Sequence, residues 1–152
     1  MSDYQTLHIS RTFNAPIQRV WDAWTQPDQL KQWFMPAPFS VASAELDVRT
    51  GGQLSINTKS PEGEIMPLSG EYTTVEEPTK LVMVSSPLDA EGKKLFEVQH
   101  SIELTEANGQ TTLDLVSEVL WAGPNSEQYL QGMEPGLNQA LDQMTKLIEA
   151  AK

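Results

Sequence analysis

His100 is the titratable residue of this sequence whose setting most suggests chemistry. It falls within the alternation of Val98, Ile102 and Leu104, so its imidazole is predicted to share the apolar face of a strand. Burial there keeps the ring neutral, with one nitrogen able to donate a hydrogen bond and the other able to accept one. Such a ring can bind a hydroxyl or carbonyl group of a ligand. The more frequent alternative is a core histidine satisfied by Ser117 or by a backbone carbonyl.

The other residue types with catalytic potential form no recognisable constellation. Asp47 and Arg49 lie two residues apart on one face of a predicted strand, which is better explained as a structural ion pair. Ser117 lacks the strand-turn-helix context of an activated serine. His8 and His100 show no metal-ligand spacing. We therefore predict no catalytic residues, no metal site and no cofactor.

The composition excludes further classes of site. The 152 residues include no cysteine and two histidines, which rules out a disulfide framework, a thiolate nucleophile, an iron–sulfur cluster and a three-histidine zinc centre. Ten basic against 21 acidic residues give a net charge of −11, spread over both halves of the chain. This charge argues against nucleic acid or an anionic membrane surface as a partner and predicts a solvated surface.

Hydrophobic periodicity predicts the elements that position these residues. Alternation over residues 7–13 predicts a first strand, Pro16 then opens a helix with an apolar stripe, and a short second helix covers residues 28–33. Over residues 41–121 the period is two, which indicates a meander of antiparallel strands with one apolar face. Its clearest turn is Asn108-Gly109, a dipeptide that favours a type I′ hairpin.

The last part of the chain is a long amphipathic helix. Over residues 126–152 apolar residues recur at spacings of three and four, and Pro135 predicts a kink or a fresh helix start. The apolar face of the sheet is the surface of matching length for this helix to cover. The element order resembles an α+β helix-grip fold, in which a curved antiparallel sheet wraps around a long C-terminal helix and two short helices follow the first strand. One domain over residues 1–152 accounts for the length.

Local sequence makes this resemblance more specific. Residues 14–16, 20–27 and 33–36 read Asn-Ala-Pro, Val-Trp-Asp-Ala-Trp-Thr-Gln-Pro and Trp-Phe-Met-Pro. They resemble the opening of the START-like (SRPBCC, Bet v allergen-like) superfamily, in the branch related to the activator of heat shock protein 90 ATPase. Residues 47–52 and 70–72 resemble later segments of that family. The resemblance implies a ligand-binding domain and a link to the stress response.

Two departures limit what carries over from the family. Its members commonly read Gly-Met-x-x-Gly-Trp at the last helix, whereas Leu137 follows Gly132-Met133-Glu134-Pro135-Gly136 here. A leucine leaves more room in the cavity or a different wall, so ligand identity does not transfer. The chain also lacks the domain that precedes this module in the eukaryotic activator, and we do not expect ATPase activation.

We therefore predict a cytoplasmic domain that binds or carries a small hydrophobic ligand, such as a lipid, an aromatic or a polyketide-like molecule, between the sheet and the last helix. Residues 1–7 lack the apolar stretch of a signal peptide, and no run approaches the ~18 apolar residues of a membrane span. The residues expected to line the cavity project from apolar faces and are Trp33, Phe34, Met83, His100, Ser117, Trp121, Met133, Leu137 and Met144. For each of them, simple core packing is the alternative.

Two other functions fit the same sequence. One is a cyclase- or hydrolase-like enzyme acting on a hydrophobic substrate with His100 as acid or base, which requires a polar partner ~2.6 to 3.2 Å from the ring. The other is a protein-interaction domain that binds a chaperone, or a second copy of itself as a homodimer, through an apolar patch around residues 33–39. The volume and lining of the interior cavity discriminate among the three.

Overall fold

The computed structural model of the protein describes residues 6–35, 38–123 and 131–150, which form one antiparallel sheet and three helices. The strands are β1 (Thr6–Phe13), β2 (Ser40–Leu46), β3 (Gln53–Lys59), β4 (Ile65–Glu76), β5 (Lys80–Pro87), β6 (Phe96–Ala107) and β7 (Gln110–Ala122). The helices are α1 (Ile17–Thr25), α2 (Pro27–Leu30) and α3 (Met133–Ala150). The strand order β1-β7-β6-β5-β4-β3-β2 places the first strand beside the last one. This curved sheet with its C-terminal helix confirms the predicted helix-grip fold.

The β6–β7 hairpin forms because of its turn residues. Asn108 and Gly109 both adopt positive φ, at 56° and 79°, and Ala107 pairs with Gln110 across the turn. A type I′ turn needs positive φ at both central positions, and asparagine and glycine tolerate it best. The predicted hairpin is therefore confirmed, and it sets the register that places His100 opposite Ser117.

A β-bulge near the end of β7 reverses the face of one predicted site residue. Glu97 pairs with Trp121 and Val98 pairs with Val119, so Leu120 is an extra residue on β7. Beyond such an insertion the side chains change faces, because their period along a strand is two. Trp121 therefore shares the face of Glu97 and is 37% exposed. The interpretation that it faces the cavity with His100 is wrong, since simple alternation does not include the extra residue.

The two short helices follow the predicted order, with one correction. Pro16 caps α1, whose apolar stripe buries Trp21 and Trp24. The second helix was predicted over residues 28–33, but α2 ends at Leu30 and the next three residues form a turn. This turn brings the indole of Trp33 under α1.

Helix α3 packs on the sheet and begins as a fresh helix. Its first residue is Met133, so Pro135 lies in the first turn, where a missing N–H breaks no helical hydrogen bond. Residues 126–130, the start of the predicted helix, lie outside the described residues. The buried side of α3 is formed by Ala140, Leu141, Met144 and Ile148.

Two arginines near the beginning of the chain hold α3 in place. Arg11 on β1 donates to the Asp142 carboxylate at 2.7 Å and to the Asn138 side-chain oxygen at 3.1 Å. Arg19 on α1 donates to the backbone carbonyl of Ile148 at 3.0 Å. Because the last carbonyls of a helix have no intrahelical partner, Arg19 supplies a donor that they lack.

Candidate functional site

A cavity of about 280 Å³ lies between the sheet and α3. Its volume is at the lower end of the ~300 to 1,000 Å³ typical of small-molecule pockets. The described residues around it come from α1, the turn after α2, β3 to β7, and α3 with the residue before it. None of these described residues is Lys, Arg, Asp or Glu. A space with a mainly apolar wall favours apolar molecules over ions.

The sheet side of the cavity contains a histidine–serine pair. His100 on β6 stands opposite Met83 on β5 and Ser117 on β7. Its Nδ1 lies 2.7 Å from Ser117 Oγ, and Ser117 is 0% exposed. Burial lowers the pKa of His100 to about 4, because the charged imidazolium loses hydration that the apolar surroundings do not replace. The ring is therefore neutral at neutral pH.

An aromatic wall stands at the α1–α2 side. The ring centroids of Trp24 and Trp33 lie 4.7 Å apart in an edge-on arrangement, and those of Trp33 and Phe34 lie 5.7 Å apart. The indole Nε1 of Trp33 donates to the backbone carbonyl of Ala23 at 2.8 Å. From the other side, Gln143 of α3 donates to the carbonyl of Trp33. The wall is thus fixed by both helices that it contacts.

The helix wall combines two glycines with two flexible or aliphatic side chains. Gly132 and Gly136 line the cavity one helical turn apart, and the backbone N–H of Gly136 donates to the carbonyl of Gly132 at 3.0 Å. Met133 and Leu137 line it at the same spacing. Because the glycines carry no side chain, the methionine and the leucine define how far this wall projects.

Six of the nine residues predicted for the site lie around the cavity, namely Trp33, Phe34, Met83, His100, Met133 and Leu137. Ser117 does not reach the cavity wall but holds the His100 ring from behind. Met144 is fully buried in the core between α3 and the sheet. Trp121 lies on the opposite face, as described above. That any of these residues contacts a ligand stays a prediction.

Several lining residues were not predicted. They include Trp24, Met35, Met66 and Phe96, together with Leu54 and Ile56 of β3. The alternation of Leu54 and Ile56 carried the necessary signal, since it marks the apolar face of β3. Met66 and Phe96 lie at strand ends, where periodicity is weak. An alternating pattern identifies the buried face of a strand, but not whether a residue there meets packed atoms or open space.

Within residues 6–35, 38–123 and 131–150, no three His, Cys, Asp or Glu side chains come together as metal ligands would. No helix in the same part of the chain is long and apolar enough to cross a membrane.

An antiparallel sheet closed by a C-terminal helix over an apolar cavity defines the START-like class of helix-grip domains. Residues 14–149 match the family described as "Activator of Hsp90 ATPase homolog 1-like protein", and the chain belongs to this family. A search of curated proteins gave no match.

Solved structures of bacterial proteins share the fold over nearly the whole chain. A Nitrosomonas europaea protein is 24% identical, with a TM-score of 0.81 and coverage of 99% of this chain and 98% of that one. An Arthrobacter aurescens protein is 23% identical, with a TM-score of 0.83 and coverage of 95% and 86%. A Mycobacterium smegmatis protein is 26% identical, with a TM-score of 0.77 and coverage of 95% and 91%. These similarities support the architecture and do not identify a ligand.

Proposed function

We propose that this protein binds or carries a small, largely apolar molecule, such as a lipid, an aromatic or a polyketide-like compound, in the cavity between the sheet and α3. The observation that carries the proposal is the 280 Å³ space, whose described wall residues include no Lys, Arg, Asp or Glu. Membership of a START-like family supports it at the level of ligand binding in general. A cytoplasmic location and one domain over residues 1–152 remain part of the proposal.

The distribution of methionines supports an adaptable wall. Four of the six methionines in the chain line the cavity, namely Met35, Met66, Met83 and Met133. Methionine is unbranched and polarisable, so it adjusts to ligands of different shape at low cost. This composition favours a binder of related apolar compounds over a site shaped for one rigid molecule.

The proposal is tested by native mass spectrometry and thermal shift against lipid, aromatic and polyketide-like libraries. We expect at least one class of apolar compound to bind the wild-type protein and raise its melting temperature. Leu137→Trp narrows the cavity from α3 and is expected to reduce this shift, whereas Lys146→Trp, on the exposed side of the same helix, keeps it. Met133→Trp provides a second narrowing variant, and the double variant is expected to reduce the shift most. Absence of any bound apolar compound would contradict the proposal.

An enzyme remains the second candidate, and one distance favours it. The 2.7 Å contact of His100 with Ser117 satisfies the polar partner that acid or base catalysis on a hydrophobic substrate requires. Against this role, a ring that stays neutral down to about pH 4 is a weak base at neutral pH and has no proton to spare as an acid. If a turned-over substrate is found, full turnover by His100→Ala excludes this mechanism.

The interaction hypothesis has less support around the predicted patch. Trp33 is buried beneath α1, and Phe39 is the exposed aromatic residue among the described residues of that segment. A single exposed apolar side chain is ordinary and does not define an interface. A homodimer and a chaperone partner therefore stay predictions, which size-exclusion chromatography and pull-down experiments can test.

A further inference from the structure

A neighbouring side chain sets the hydrogen-bonding roles of the two nitrogens of His100. Its Nδ1 lies 2.7 Å from the hydroxyl of Ser117, directly across the β6–β7 pair. Ser117 is fully buried, and the described residues offer its hydroxyl no other hydrogen-bond partner. A buried hydroxyl that donates no hydrogen bond is unfavourable. The Ser117 hydroxyl therefore donates the hydrogen bond, and Nδ1 of His100 accepts it.

This direction fixes the tautomer of the ring. A neutral imidazole carries one proton, and if Nδ1 accepts from Ser117, that proton is on Nε2. Burial lowers the pKa of His100 to about 4, which keeps the ring in the neutral form. In the described part of the chain Nε2 has no hydrogen-bond partner, and the ring lines the cavity. The cavity is therefore presented with an N–H donor, not with an acceptor.

We propose that the bound molecule is uncharged and carries a hydrogen-bond acceptor, such as the carbonyl oxygen of a ketone, ester or amide, that receives the Nε2–H of His100. The inference rests on the proposed function and specifies the chemistry of its ligand. An anionic ligand is disfavoured because the described residues that line the cavity include no Lys or Arg to pair with it. A ligand with only a donor group leaves two donors facing each other.

A second polar group in the wall fits the same ligand. Ser85 on β5 lines the cavity and pairs with Val98, so it is a diagonal neighbour of His100 across the β5–β6 pair. Its hydroxyl can donate to the second lone pair of a carbonyl oxygen. Thr58 also lines the cavity, but its hydroxyl already donates to the Met66 carbonyl at 2.9 Å.

The first test is the tautomer itself, which does not depend on a ligand. Long-range ¹H–¹⁵N spectra of the two histidine rings are recorded at pH 7, and His8→Gln removes the other ring to assign His100. We expect a protonated Nε2 and an unprotonated Nδ1. In Ser117→Ala, which loses the donor to Nδ1, we expect a larger Nδ1–H population. A wild-type ring protonated at Nδ1 overturns the inference.

The second test compares two probes of equal size, 2-acetylnaphthalene and 2-ethylnaphthalene, by calorimetric or fluorescence titration. His100→Phe keeps a planar ring and removes the donor. We expect this change to weaken binding of the ketone about three- to tenfold relative to the hydrocarbon, the range of one net hydrogen bond. If the phenylalanine variant does not fold, Ser117→Ala replaces it, with a smaller loss confined to the ketone. An equal loss for both probes overturns the inference and leaves the proposed function standing.

A third probe, 2-naphthoate, tests the requirement for an uncharged ligand. We expect it to bind at least tenfold more weakly than the ketone at pH 7, because its carboxylate finds no cation among the wall residues that the structure describes. Equal or tighter binding of the naphthoate contradicts the inference. If none of the three probes binds but a compound from the libraries does, the same comparison is made with a ketone and its hydrocarbon analogue from the class that binds, and an equal loss for both in His100→Phe overturns the inference. If no library compound binds either, the proposed function fails and the inference fails with it.

Discussion

The side-chain amide of Gln143 donates to the backbone carbonyl of Trp33 at 3.0 Å, across 110 positions of sequence. The same nitrogen donates to the carbonyl of Met35 at 2.8 Å. One residue of α3 therefore holds the turn that carries the aromatic wall. Because α3 also supplies the opposite wall, the two sides of the cavity cannot separate without breaking these bonds.

Replacing Gln143 by leucine is expected to destabilise the protein by about 1 to 3 kcal/mol, since two partly buried carbonyls lose their donor. Hydrogen exchange at residues 33–35 is expected to accelerate. Lys146→Leu, on the exposed side of α3, is the control and should leave exchange there unchanged. Unchanged protection in the Gln143 variant would show that packing alone holds the turn.

Two methionines of α3 are expected to respond differently to truncation. Met144 is fully buried, so Met144→Ala should cost about 2 to 5 kcal/mol in urea unfolding. Met133 is half-buried at the cavity, where truncation enlarges an existing space, and Met133→Ala should cost less than half as much. Ligand affinity should change in the Met133 variant and persist in the Met144 variant. If ligand affinity instead changed in the Met144 variant and persisted in the Met133 variant, Met144 would be a ligand contact.

Lowering the pH below about 6.5 is expected to destabilise the folded protein because of His100. Burial lowers its pKa to about 4 in the folded protein, whereas the ordinary value is 6.5, so only the unfolded chain takes up this proton between those pH values. Proton uptake favours the unfolded state. The resulting loss in the free energy of unfolding grows as the pH falls from 6.5 and reaches about 3 kcal/mol near pH 4. The loss is measured by urea unfolding at pH 7.5 and 4.5.

His100→Gln removes the titrating ring and should lose less stability than the wild type over the same pH interval. The comparison isolates His100 from the acidic residues, which both proteins share. His8→Gln, at an exposed position of β1, is the matched control. If the wild type and the His100 variant lose equal stability, the ring is not held neutral by burial.

Arg19 is expected to stabilise the last turn of α3. Arg19→Met removes donors to the carbonyls of Ile148 and Leu147, at 3.0 and 3.3 Å, and should cost about 1 to 2 kcal/mol. Arg49→Met is the control. The side chains of Arg49 and Asp47 are 73% and 52% exposed, so their ion pair should contribute under about 0.5 kcal/mol. Urea unfolding measures both variants, and similar losses would refute a capping role.

Much of the fold could be predicted because its signals are local. Asn108-Gly109 sets its hairpin through backbone conformations that few other residues tolerate. The apolar stripe that buries Leu141 and Ile148 follows from helical spacing alone. The pairing of His100 with Ser117 was predicted as an alternative and is observed at 2.7 Å.

The parts of the site that could not be predicted depend on tertiary structure. By simple alternation Trp121 belongs to the same face as His100. The bulge at Leu120 turns it to the opposite face, away from the cavity. Met144 and Leu137 share the apolar side of α3, yet one meets close-packed core and the other meets open space. That difference depends on which side chains stand opposite each position in the folded protein, which periodicity does not describe.

The anchoring of α3 by Arg11 and Arg19 has a consequence for biosynthesis. The ribosome delivers all seven described strands before this helix, so the two arginines emerge more than 100 residues ahead of their partners. Until then the apolar face of the nascent sheet lacks its cover, and exposed apolar surface of this kind promotes aggregation. We expect this uncovered sheet to be the stage of synthesis at which the chain aggregates most readily.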